Sequence, residues 1–219
     1  MYQRSVQSYG TPTASTGSML GQVLGYTGIG FLVTAVATYL TGSLALPQGI
    51  SLGAMLVGFV LLFAISGTRA NPGLSLGLFY LFTFCEGIGI GPVVTAYARL
   101  DGPAVVLEAA ATTGLGMLVL AGVVSLTSFD YRKLSGYAFA GLILLVIVSL
   151  ISAFTHFLHP ATISWLTLVV FTALVLVDFA RLKAGGGGLT PVQMAVSIYL
   201  DAINIFLAIL RLTGSRRDD

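Results

Sequence analysis

The chain has 219 residues, of which 56% are hydrophobic and 8% charged, with a mean hydropathy of +0.97 and a net charge of +2. Soluble domains carry roughly 25% charged residues, so this composition describes a polytopic membrane protein in contact with the lipid bilayer. The small net charge and the lack of a dense Lys/Arg cluster exclude a nucleic-acid-binding surface.

Residues 1–18 are rich in Ser, Thr, Gly and Tyr and read as a mobile N-terminal tail. The first apolar segment, near 20–41, is long for a signal peptide and lacks a short basic region before it, so it is expected to be retained. Further apolar segments follow near 50–66, 74–98, 104–126, 135–157, 162–183 and 190–212. A span needs about 20 residues, so the second must begin earlier than its apolar core. Residues 19–214 then form one domain of seven transmembrane helices, and 215–219 a short C-terminal tail.

The third segment contains Glu86 and Cys85 in a glycine-rich stretch ending at Pro92, which permits close helix packing and a kink. Glu86 either lines a pathway or caps a broken helix. Glu108, near the start of the fourth segment, fits an interfacial position. Cys85 is the only cysteine, so no intramolecular disulfide can form, and it reads as a small apolar filler. His156 and His159 flank an outer loop without acidic or Cys neighbours, which argues against a metal site, and Trp165 reads as an interfacial anchor. The connection Gly185-Gly186-Gly187-Gly188 reads as a flexible joint between the last two spans.

Positive charge sets the expected orientation. Arg4, Arg69, Arg132, Lys133, Arg181 and Lys183 fall on one side and Arg99 on the other, which places the N-terminus in the cytoplasm. Seven full crossings would then export Arg211, Arg216 and Arg217, a mild conflict with that rule.

Two carboxylates dominate the chemistry. Asp178 and Asp201 lie inside the sixth and seventh segments, where an ionisable group is costly and marks an ion or proton pathway. At 1.5 Å per residue, Asp178 lies about 10 Å before the glycine joint and Asp201 about 15 Å beyond Pro191, so the two can meet across a hairpin. Like charges in a poor dielectric resist double ionisation, and such a pair shares a proton. Deprotonated, it offers hard oxygen ligands to a cation such as Ca²⁺, bound in transit. Gln193, Ser197, Asp201, Asn204 and Arg211 fall on one face of the seventh segment, with Ser197 and Asn204 placed to line the path. The alternative is a purely structural polar seam. Arg69, at the end of the second segment, suits either a positive-inside anchor or a counter-ion, and Arg181 competes with it as a local partner of Asp178.

The chain resembles the Bax inhibitor (TMBIM) family of seven-helix membrane proteins, calcium-leak type, from about Arg69 to Gly214. The likeness is densest in Phe79-Tyr80-Leu81-Phe82-Thr83-Phe84, in Val105-Val106-Leu107-Glu108-Ala109 and, most specifically, in Ser197-Ile198-Tyr199-Leu200-Asp201-Ala202-Ile203-Asn204-Ile205-Phe206 with Leu210-Arg211. The resemblance implies an all-α fold with six helices wrapped around a central seventh in a bacterial inner membrane. It implies a pH-sensitive calcium leak whose sensor is an aspartate on each of the last two helices, matching Asp178 and Asp201. An arginine latch matches Arg69. Relatives linked to a membrane protease lack the second aspartate, which this chain keeps. Where close members carry a small residue, this chain has Glu86. No enzymatic activity and no cofactor beyond the permeant calcium are expected. A helix-contact regulator of a membrane protease is the alternative reading. An intramembrane aspartyl protease fits less well, because Val177-Asp178 and Tyr199-Leu200-Asp201 lack the tyrosine before the first aspartate and the glycines before the second that such enzymes carry.

Overall fold

A computed structural model describes residues 16–127 and 130–214. The basic residues Arg4, Arg216 and Arg217 and the C-terminal tail lie outside the described residues. Seven helices are long and apolar enough to cross a membrane: α1 (Thr16–Ser43), α2 (Gln48–Gly67), α3 (Pro72–Leu100), α4 (Pro103–Leu126), α5 (Tyr131–Thr155), α6 (Pro160–Lys183) and α7 (Pro191–Gly214). No strand is present among the described residues. The helix α1 already begins at Thr16, inside the stretch expected as a tail. The helix α3 runs unbroken through Pro92 to Leu100, so Glu86 does not cap a helix end.

Local chemistry sets the ends. Asn71 Oδ1 accepts from the Leu74 amide at 3.2 Å with Pro72 at the first helical position of α3, and Asp130 Oδ1 accepts from the Arg132 amide at 3.0 Å to start α5. The two histidines are cap residues. His156 closes α5 in a left-handed conformation, and His159 Nδ1 accepts from the Ala161 amide at 3.3 Å to open α6. The start of α7 is a capping box: Thr190 Oγ1 accepts from the Gln193 amide at 3.2 Å, and Gln193 Oε1 accepts from the Thr190 amide at 3.1 Å.

Small residues bring α3 against its neighbours, since van der Waals contact, not water exclusion, drives helix association in lipid. A Cβ on Gly87 would stand 2.5 Å from the Thr34 carbonyl oxygen, and one on Gly91 2.6 Å from the Thr41 side chain, so both glycines face α1. Gly89 faces Met55 of α2 in the same way. Across that contact Thr34 and Thr38 donate to the carbonyls of Thr83 and Gly87, each at 3.0 Å. Cys85 is buried in this core.

The helix α7 has 50% of its span buried, against 17% for α4 and for α5. The helix contacts on α7 are unequal. The helices α1, α3, α4 and α6 pack on α7, whereas α2 packs mainly on α3 and α5 on α6. Tyr199 anchors α7 to the first pair: it is wholly buried, bonds Thr34 through its hydroxyl at 2.6 Å, and packs against the rings of Phe31, Phe79 and Phe82. The outer faces of α2, α4 and α5 are apolar and suit lipid, with Leu56, Leu118 and Leu144 among their exposed side chains.

At the far end of α6, Lys183 Nζ donates to three carbonyls at the end of α4: Val124 and Thr127 at 2.9 Å, and Ser125 at 3.0 Å. A cation there satisfies orphaned acceptors and meets the negative end of the helix dipole. Lys183→Met is therefore expected to cost about 1 kcal/mol and lower the melting temperature in detergent. A melting temperature equal to that of the native protein would show that water replaces the ammonium without loss.

Candidate functional site

Asp178 on α6 and Asp201 on α7 are both buried, at 4% and 5% exposure, and both line one cavity of about 400 Å³. The cavity is walled by one face each of α5, α6 and α7. Its polar lining comprises Ser135, Asp178, Arg181, Ser197, Asp201 and Asn204, and the rest is apolar. The hairpin geometry explains the meeting: α6 descends to the glycine turn and α7 returns, so residues at matched depths face each other.

The two carboxyl groups are held differently. Asp178 Oδ1 accepts from Arg181 Nη1 at 3.1 Å, one helical turn away on the same helix. The Ser197 side chain of α7 lies beside the same carboxyl. Asp201 has no ion-pair partner among the described residues. The second oxygen of each acid, Oδ2, is buried without a hydrogen-bond partner. Buried polar atoms are nearly always satisfied, so two carboxylate oxygens in one cavity without a protein partner offer acceptors to a proton, a water or a cation. Asn204 Nδ2 donates to the Leu200 carbonyl at 2.8 Å. That bond leaves its amide oxygen able to act as a further hard ligand.

Arg69 stands elsewhere. Its Nε donates to Gln193 Oε1 at 3.2 Å, which ties the end of α2 to the capping box of α7. Gln193 precedes Asp201 by eight residues, about 12 Å along the helix axis. In this structure the arginine on Asp178 is Arg181, not the expected latch at Arg69. Glu86 lies half-buried on α3 and Glu108 exposed on α4, and neither lines the cavity.

The expected flexible joint has a defined shape. Gly185, Gly186, Gly187 and Gly188 all adopt positive φ, between 58° and 86°, a left-handed path that costs other residues about 1 kcal/mol or more at each position. The turn is packed: Gly186 lies under Met19 of α1, and Gly187 lies against the stem of Arg181.

Of the polar lining residues, Ser135 alone went unnamed in the sequence, and Arg181 entered only as a competing partner of Asp178. The signal for Arg181 was its spacing of three from Asp178. Nothing in the sequence marked Ser135.

The family described as Inhibitor of apoptosis-promoting Bax1 matches residues 16–218. An uncharacterized membrane protein of Vibrio cholerae is 27% identical over 186 residues, covering 84% of this chain and 82% of the relative. A protein of Borreliella burgdorferi is 30% identical over 225 residues, covering 91% of this chain and 93% of its own length. A Campylobacter jejuni protein, Cj0236c, is 29% identical across 71% of this chain and 68% of its own. The family match spans all seven helices and both aspartates, and this chain is accordingly a multi-pass membrane protein of the Bax inhibitor family.

Proposed function

We propose that this protein is a passive, proton-controlled cation leak that prefers calcium, with Asp178 and Asp201 as sensor and transient ion ligands. The observation that carries the reading is the pair of buried Oδ2 atoms without partners in one cavity. A shared proton closes the pair at low pH, and its loss leaves two repelling carboxylates facing the cavity. That charge draws a hard cation in and pushes α6 and α7 apart at the glycine turn. Ser197 and Asn204 supply neutral oxygens on the same face of α7. Glu86, outside this cavity, has no step in the scheme. The positive ends of α2, α5 and α6, carrying Arg69, Arg132, Lys133, Arg181 and Lys183, face the cytoplasm together with the N-terminus in this proposal. The host is an inner membrane, there is no catalytic step, and calcium and protons are the only small partners.

Arg181 offers a second gate with the opposite sign. Protonation of Asp178 removes the charge that holds the guanidinium and frees it to move. The test is Ca²⁺ entry into liposomes containing the purified protein, followed with a trapped dye between about pH 6 and pH 8. Entry that increases with pH assigns the gate to carboxylate repulsion, and entry that increases with acidity assigns it to release of Arg181. No entry above empty liposomes at any pH removes the leak and leaves regulation of a membrane protease through helix contacts.

A further inference from the structure

We propose that Arg181 sets the ion selectivity of the cavity, holding its preference for divalent over monovalent cations below what two free carboxylates would give; this rests on the leak reading above. Three charged side chains line the cavity: Asp178, Asp201 and Arg181. When both acids are ionised, the guanidinium cancels one of them and the lining carries a single net negative charge. Arg181 is only 24% exposed, so bulk water screens it incompletely.

The cation–guanidinium repulsion is proportional to the charge of the entering ion. It therefore opposes Ca²⁺ twice as strongly as K⁺ or Rb⁺, whereas each carboxylate favours Ca²⁺ by the same factor. Selectivity then follows the charge count of the lining.

Two independent features hold Arg181 at the cavity, one through its guanidinium and one through its stem. One is the ion pair with Asp178 at 3.1 Å. The other is the glycine turn. A Cβ on Gly187 would stand 3.1 Å from Arg181 Cγ, so the stem lies in the space that a glycine leaves open. Gly187 also has φ +58°, which other side chains rarely adopt. The turn thus packs against the stem of the arginine.

The experiment compares uptake of ⁴⁵Ca²⁺ and ⁸⁶Rb⁺ by liposomes carrying the purified full chain, at the pH of fastest native uptake. Arg181→Gln removes the positive charge and is expected to raise the Ca²⁺-to-Rb⁺ uptake ratio on the order of tenfold. Arg181→Lys keeps the charge and is expected to keep the native ratio. Asp178→Asn with Arg181→Gln restores the net charge, and the ratio is expected to return to the native value. Asp178→Asn alone brings the lining to neutrality and is expected to lower the ratio, which tests the charge count even where Arg181→Gln does not yield folded protein. A ratio that stays within about twofold of native in both Arg181→Gln and Asp178→Asn overturns the proposal. So does a rise in Arg181→Lys equal to that in Arg181→Gln, which would assign Arg181 a packing role. If the native protein takes up neither ion, the leak reading itself fails, and that result is separate from an unchanged ratio.

Discussion

Asp201→Asn is expected to abolish the pH dependence of Ca²⁺ entry and to reduce entry at least about tenfold at the native optimum. The amide matches the carboxyl in shape, so packing against α6 survives, but it carries no charge and takes up no proton between about pH 6 and pH 8. What remains is Asp178 closed onto Arg181 by their 3.1 Å contact, a neutral pair with no reason to repel α7. Asp178→Asn is expected to remove the pH dependence too, by a different route: Arg181 loses its partner and is left facing Asp201 across the cavity. A structural seam predicts something else. Asparagine would keep its interhelical contacts, and entry would follow the native pH curve. Native pH profiles in both variants would therefore remove the carboxyl pair as sensor.

How much of this was legible in the sequence differs by scale. The seven spans were readable because a bilayer demands long apolar runs, and the end signals at Asn71-Pro72, Gly102-Pro103, His159-Pro160 and Pro191 are local chemistry. The pairing of Asp178 and Asp201 was readable because a short hairpin fixes their relative depth. The third wall of the cavity was not. Beyond its first turn the helix α5 has no polar stripe, and such a helix does not disclose which face meets protein and which meets lipid. The same ambiguity hid the layering: α2 and α5 look no more peripheral in sequence than α1 or α4, yet each packs chiefly on one neighbour.

The arginines show a different limit. Arg69 and Arg181 are equally plausible partners for Asp178 by charge, and the choice between them depends on where the end of α2 lies relative to α7. That position is set by the Thr190–Gln193 capping box, whose amide oxygen accepts from Arg69. The path of the tetraglycine connection was illegible for a related reason. Glycine runs permit flexibility, but they also permit a left-handed path, and here that path lies against Met19 and Arg181, contacts that no local rule supplies.

Gly87→Leu is expected to be the most damaging single substitution in the α1–α3 contact, and Gly77→Leu on the same helix nearly harmless. Both changes replace glycine by a good helix former, worth up to about 1 kcal/mol in a helix interior. The outcome is therefore decided by space. At Gly77 an added Cβ meets nothing within 4 Å. At Gly87 it would stand 2.5 Å from the Thr34 carbonyl oxygen and 2.7 Å from the Ala37 Cβ. One of those atoms is backbone and cannot rotate away, so α1 and α3 must separate. Separation stretches the Thr34–Thr83 and Thr38–Gly87 hydrogen bonds and pulls Thr34 from the Tyr199 hydroxyl, which loosens α7 as well. Overpacking alone costs about 1–3 kcal/mol, and the lost interhelical hydrogen bonds add about 1 kcal/mol more. Thermal unfolding in detergent should show Gly77→Leu at or above the native melting temperature and Gly87→Leu far below it, with loss of a single symmetric size-exclusion peak. Equal melting temperatures for the two variants would mean that α1 and α3 are not in the close contact described here, and the position of Tyr199, and through it the face that α7 turns toward Asp178, would lose its support.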